Sequence, residues 1–97
     1  MTVELLPYDS ADHFKSAEDQ AFLLDDALES GDERYIKHSL NVIARARGMS
    51  QLEQDTGIKR QALYRALGPN GNPTLDTLIR VVNALGMRLR VEPGKAS

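Results

Sequence analysis

A chain of 97 residues without a single cysteine is long enough for one domain with one core, and it excludes a disulfide framework and thiolate metal sites. His13 and His38 stand too far apart to give a metal-ligand spacing, so neither a metal nor a cofactor is expected. The net charge of −2 conceals a polarity: residues 1–33 carry ten acidic side chains against Lys15 alone, for −9, whereas residues 34–68 sum to +5 and residues 69–97 to +2.

Such polarity fits two partners of opposite sign, a polyanion for the middle and a basic partner for the front; the alternative is that the halves offset each other within one fold. Only five aromatics and no tryptophan are present, so the core must come from Leu, Ile, Val and Ala, which favours helices. No apolar run approaches the roughly 18 residues of a membrane span, and "MTVELLPYDS" has neither a basic start nor an apolar signal core. The expectation is a cytoplasmic protein with no membrane contact.

"TVELL", residues 2–6, predicts a short strand before a turn at Pro7. In "SAEDQAFLLDDALESGD", Ser16 is a helix N-cap with Asp19 three residues on, and Gly31 lies where the helix would stop. Ala17, Ala21, Leu24 and Leu28 form an apolar stripe; Phe22 and Leu23 fall off it, so a second covered side is expected. Asp32 caps the next helix, which runs to Arg47 with Ile36, Leu40, Ile43 and Ala44 on one face and Gly48 as terminator. By periodicity Arg47 projects toward that face, from which it can snorkel to the helix's negative end, while Arg45 points into solvent.

Ser50 and Glu53 fit a capping box opening a short third helix. Gly57 supplies the left-handed residue of a sharp turn, Ile58 follows as an apolar plug, and Lys59 begins a fourth helix. "GPNGNP", residues 68–73, is a loop. Thr74 then caps a fifth helix whose Leu75, Leu78, Ile79, Val82 and Leu85 make the strongest core signal in the chain. Gly86 ends it, and "MRLRVEP" alternates Met87, Leu89 and Val91 against Arg88, Arg90 and Glu92, predicting a half-buried strand over 87–92 that pairs with "TVELL", with the arginines on its outer face. Residues 93–97 form a tail. The expected organisation is therefore a single domain: an acidic extension over 1–33, a helical core over 34–86, then the strand and the tail.

The fourth helix carries the chemistry. At 100° per residue from Arg60, Tyr64 falls at about 40°, Gln61 at about 100° and Arg65 at about 140°, while Ala62, Leu63, Ala66 and Leu67 occupy about 200° to 340°. The long donors thus share one side and the aliphatic residues the other. Arg can donate a bidentate pair to guanine, Gln can do so to adenine, and Tyr can touch a thymine methyl or a phosphate; Lys59 would meet the phosphate backbone. A short helix, a Gly turn, an apolar plug and a basic-faced helix make the helix-turn-helix layout. The DNA-binding set is Gln51, Lys59, Arg60, Gln61, Tyr64 and Arg65, with Arg45, Arg47, Asn70 and Asn72 as further phosphate candidates. The plainer reading is a solvated face, with Tyr64 packed on the loop.

Residues 36 to 86 resemble the five-helix Xre and lambda-Cro-like DNA-binding domain. "RGMSQLEQDTGIKRQALYRALGPNGNPTLDTLIRVVNALGMRL" is similar to the addiction-module antidote proteins of bacterial toxin–antitoxin pairs, a resemblance that extends more loosely through "YDSADHFKSAEDQAFLLDDALESGD". Glu53 departs from the helix-turn-helix pattern, which usually has a small residue there. The resemblance implies a mainly α fold and an antitoxin that represses its own operon and neutralises a RelE/ParE-type toxin. Two alternatives share the same residues: a stand-alone regulator, and a protein-interaction module whose basic helix binds an acidic partner. An enzyme is not expected, because no nucleophile sits near a base and no Gly-rich phosphate loop follows a strand. A homodimer is expected, since one short helix reads few base pairs and two copies about 34 Å apart read a palindrome. The edge of the terminal strand is the first expectation for its interface, and the fifth helix the alternative.

Overall fold

Local chemistry at the chain's capping residues sets the helices of the structure, a computed structural model that describes residues 14–94. Ser16 accepts a 3.1 Å hydrogen bond from the Asp19 amide and opens α1 (Ala17–Ser30), which Gly31 closes. Asp32 accepts from the Arg34 amide at 2.9 Å and opens α2 (Glu33–Arg47). Gly48 ends α2 and directly starts α3 (Met49–Thr56); α4 (Arg60–Ala66) and α5 (Leu75–Ala84) follow, the latter capped by the Thr74 hydroxyl, which accepts from the Thr77 amide.

One core unites all five helices: Leu24 of α1, Leu40, Ile43 and Ala44 of α2, Met49 and Leu52 of α3, Leu63 and Leu67 at α4, and Val81 and Leu85 at α5. α1 packs on α2, and α3 contacts α2, α4 and α5. Arg80 of α5 reaches the end of α3, donating to the Thr56 carbonyl at 3.4 Å while its other edge meets Asp76. The Tyr35 hydroxyl donates to Asp26 at 2.6 Å and so ties α2 to α1; that bond to a carboxylate holds the phenol's pKa above its ordinary range.

Two helical faces differ from the periodicity. α1 buries Gln20, Leu24 and Ala27 rather than Ala17, Ala21, Leu24 and Leu28, a rotation of about 60° at 100° per residue. The cause is an amide partnered at both ends: Gln20 donates to the Phe14 carbonyl at 2.8 Å and accepts from Arg47 at 3.3 Å, so a polar residue occupies a position that periodicity reserves for apolar ones. Phe22 stays 73% exposed, whereas Leu23 packs against the core. On α5 the apolar stripe is wider than the face that is covered: Val81, Val82 and Leu85 are buried, but Leu75 is 69% and Ile79 43% exposed.

The expected terminal strands require correction. Among the described residues there is no β-strand. Residues 2–6 lie outside the described part, and residues 87–92 have no regular structure. The Met87 amide still donates to the Val82 carbonyl at 3.1 Å, but beyond it residues 88–94 make no backbone hydrogen bond among the described residues. Alternation says which side of an extended segment is apolar; a strand also needs a neighbouring ladder, and the described residues supply none. Among the described residues, no helix is long and apolar enough to cross a membrane.

Candidate nucleic-acid interface

The turn between α3 and α4 is built by three consecutive residues. Thr56 is buried; its hydroxyl donates to the Leu52 carbonyl at 2.7 Å and accepts from the Ile58 amide at 3.1 Å. Gly57 adopts φ 77°, a left-handed conformation that disfavours any side chain, and its amide returns to Glu53 at 2.9 Å. Ile58 then packs against the core, and the chain enters α4 through Lys59 as N-cap.

Exposure on α4 follows the split that its periodicity predicts. Leu63 and Leu67 are buried and Ala62 and Ala66 half-buried, whereas Lys59, Arg60, Gln61, Tyr64 and Arg65 are all exposed. Tyr64 is 48% exposed. Gln51 is exposed on α3, its amide donating to Asp55 at 3.0 Å.

Ser50 has a different job from the one anticipated. α3 begins at Met49 with Gly48 as N-cap and no side-chain cap, so the Ser50–Glu53 capping box does not form. Ser50 sits one residue inside the helix, and its hydroxyl accepts from the Arg60 guanidinium at 3.0 Å. This bond restrains a long cationic side chain on the outer face of α4, which reduces the rotamer freedom lost on meeting a ligand.

Two α2 side chains hold the end of α4 and the loop of residues 68–73 that follows it. Lys37 donates to the Gly71 carbonyl at 2.6 Å and Asn41 to the Leu67 carbonyl at 3.4 Å. Gly71 lies so close to the end of α4 that a Cβ there would overlap the carbonyl oxygens of Arg65 and Ala66. Asn70 and Asn72 are exposed on this loop. Sequence reasoning missed Ser50, Lys37, Asn41 and Thr56 in these roles, because three of them act on partners ten or more residues away and Thr56 resembles any helix-end threonine.

Arg47 turns inward. It donates to the Ala84 and Leu85 carbonyls at 3.4 and 3.0 Å and to Gln20, so it meets the negative end of α5 rather than that of its own helix. Half-buried Arg45 donates to Asn41 at 2.8 Å instead of extending alone into solvent.

Residues 4–93 match a family described as "probable addiction module antidote protein". The chain belongs to that family. An uncharacterized protein of Haemophilus influenzae is 39% identical over 95 residues, a span covering 98% of each chain. No solved structure matches significantly.

An antidote implies a toxin partner. α1 contains five acidic residues and no basic one. Among the described residues only Asp26 of these five has a side-chain partner, Tyr35. The antidote thus presents one exposed cationic helix and one exposed anionic helix within a single small fold.

Proposed function

We propose that this antidote is the antitoxin of a type II toxin–antitoxin module, acting in the cytoplasm: it binds double-stranded operator DNA through α3 and α4 as a helix-turn-helix, represses its own operon and neutralises a RelE/ParE-like toxin. The observation that carries the DNA reading is the exposed donor face of α4, backed by a buried aliphatic face that holds the helix rigid.

In this reading Arg60 and Gln61 read base edges in the major groove, Tyr64 touches a thymine methyl or a phosphate, and Lys59, Arg65 and Gln51 bind the phosphate backbone. Restraint of Arg60 by Ser50 supports a reading role, since a base contact needs a fixed donor geometry. The protein acts as a homodimer. With no strand edge at residues 87–92, the exposed Leu75 and Ile79 of α5 favour the fifth helix as its interface. Membership in an antidote family favours a toxin partner over the stand-alone regulator.

A mobility shift on the operon's own promoter tests the DNA reading. The double variant R60A/Q61A should lose about 1–3 kcal/mol for each missing base contact, and wild-type affinity should fall steeply as salt rises. Undiminished binding by the double variant would remove the base-reading role from α4.

A further inference from the structure

Between α1 and residues 87–94 runs an open groove of about 1430 Å³, well beyond the roughly 300–1,000 Å³ typical of small-molecule pockets. Its size fits a polypeptide. The groove shares no residue with α3 or α4, so it is separate from the face assigned to DNA.

The lining has a defined chemistry. Phe22, Leu28 and Leu89 are 73%, 42% and 44% exposed, and Val91 is 99% exposed. Along the helical wall stand Glu18, Asp25 and Glu29, and along the other wall Arg88 and Arg90. None of these charges is ion-paired among the described residues, so the two walls do not neutralise each other. Backbone groups of residues 88–94 are likewise without hydrogen-bond partners among the described residues. Backbone that has no hydrogen-bond partner among the described residues, beside an apolar groove, is the setting in which a partner strand adds to a protein edge.

Building on the antitoxin reading, we propose that this groove is where the toxin is held, and that the toxin contributes an extended segment which pairs with residues 88–92, sets apolar side chains on Phe22, Leu28, Leu89 and Val91, and directs basic side chains at Glu18, Asp25 and Glu29. A second copy of this chain fits less well, because pairing residues 88–92 with themselves across a two-fold axis sets Arg90 directly against the copy's Arg90, a like-charge pair flanked by Arg88 opposite Glu92. The carboxylates speed and orient the encounter, while the apolar contacts and the strand pairing hold the complex.

The test uses the full-length chain with the product of the adjacent open reading frame as probe. Amide exchange of residues 88–92 should be fast in the free protein and strongly slowed in the complex, with further slowing along α1. V91D and the charge reversal D25K/E29K should each weaken the complex at least tenfold, the latter mainly through a slower association rate, while operator binding stays as in wild type. A complex that leaves these amides exchanging freely overturns the groove assignment alone, and so does slow exchange already present without the probe, which would mean that the groove is filled by another occupant. Failure to form any complex would instead remove the antitoxin reading on which the proposal rests.

Discussion

Arg60 and Ser50 show how a surface arginine acquires direction. Ten residues separate them, yet the turn at Gly57 brings the hydroxyl within 3.0 Å of the guanidinium. Removing the hydroxyl in Ser50→Ala leaves the charge intact and frees the side chain. Operator affinity should fall by roughly 0.5–1.5 kcal/mol, the range of an ordinary hydrogen bond, which is less than for Arg60→Ala, and the melting temperature should barely move because both groups are exposed. A titration of labelled operator read alongside a thermal melt checks this; equal affinities for S50A and wild type would mean that the restraint is idle. The charge and position of Arg60 are legible in the sequence, but its partner is not, since Ser50 followed by Glu53 also satisfies a local capping pattern and only the folded turn decides between them.

At the scale of elements, local signals were the readable ones. Ser16, Asp32 and Thr74 cap α1, α2 and α5 through contacts two or three residues away, and Gly31, Gly48 and Gly57 end α1, α2 and α3 through backbone conformation, so these boundaries are written within a few positions of themselves, whereas the start of α3 at Met49 is not. Faces and strands depend on distant neighbours. The rotation of α1 turns on Gln20 finding both Phe14 and Arg47, and a strand over 87–92 would depend on a partner that alternation cannot provide. The loop after α4 adds a steric requirement with a sharp consequence. Gly71→Ala drives a Cβ into two backbone carbonyls, which cannot swing aside as a flexible side chain would. The substitution should destabilise by about 1–3 kcal/mol, the usual cost of overpacking, lowering the melting temperature by roughly 4–8 °C per kcal/mol for a domain of this size. Calorimetry would detect it, and an unshifted transition would show that the loop lifts off α4 freely.

For the whole molecule, the decisive property is how charge and apolar surface are distributed. The anionic α1 and the cationic α4 sit on one core, and the uncovered edge of α5 adds a third surface. If that edge holds two copies together, introducing charge at both positions in L75D/I79D should convert the dimer to a monomer in sedimentation without unfolding it, because both side chains are already exposed. Operator affinity should fall with it by well over tenfold, since a lone recognition helix contacts only a few base pairs. An unaltered sedimentation coefficient would move the dimer contact elsewhere.

The fork of Arg47 also bears on how such chains can be dissected. One guanidinium grips the amide of Gln20 in α1 and two carbonyls at the end of α5 from its own seat on α2. Lysine, a single point donor, cannot reproduce that three-way clasp. The acidic front is therefore no detachable cassette: transplanting it to another scaffold would mean carrying along the arginine and the helix end it fastens, and severing the chain near Gly31 would strip the clasp of one arm.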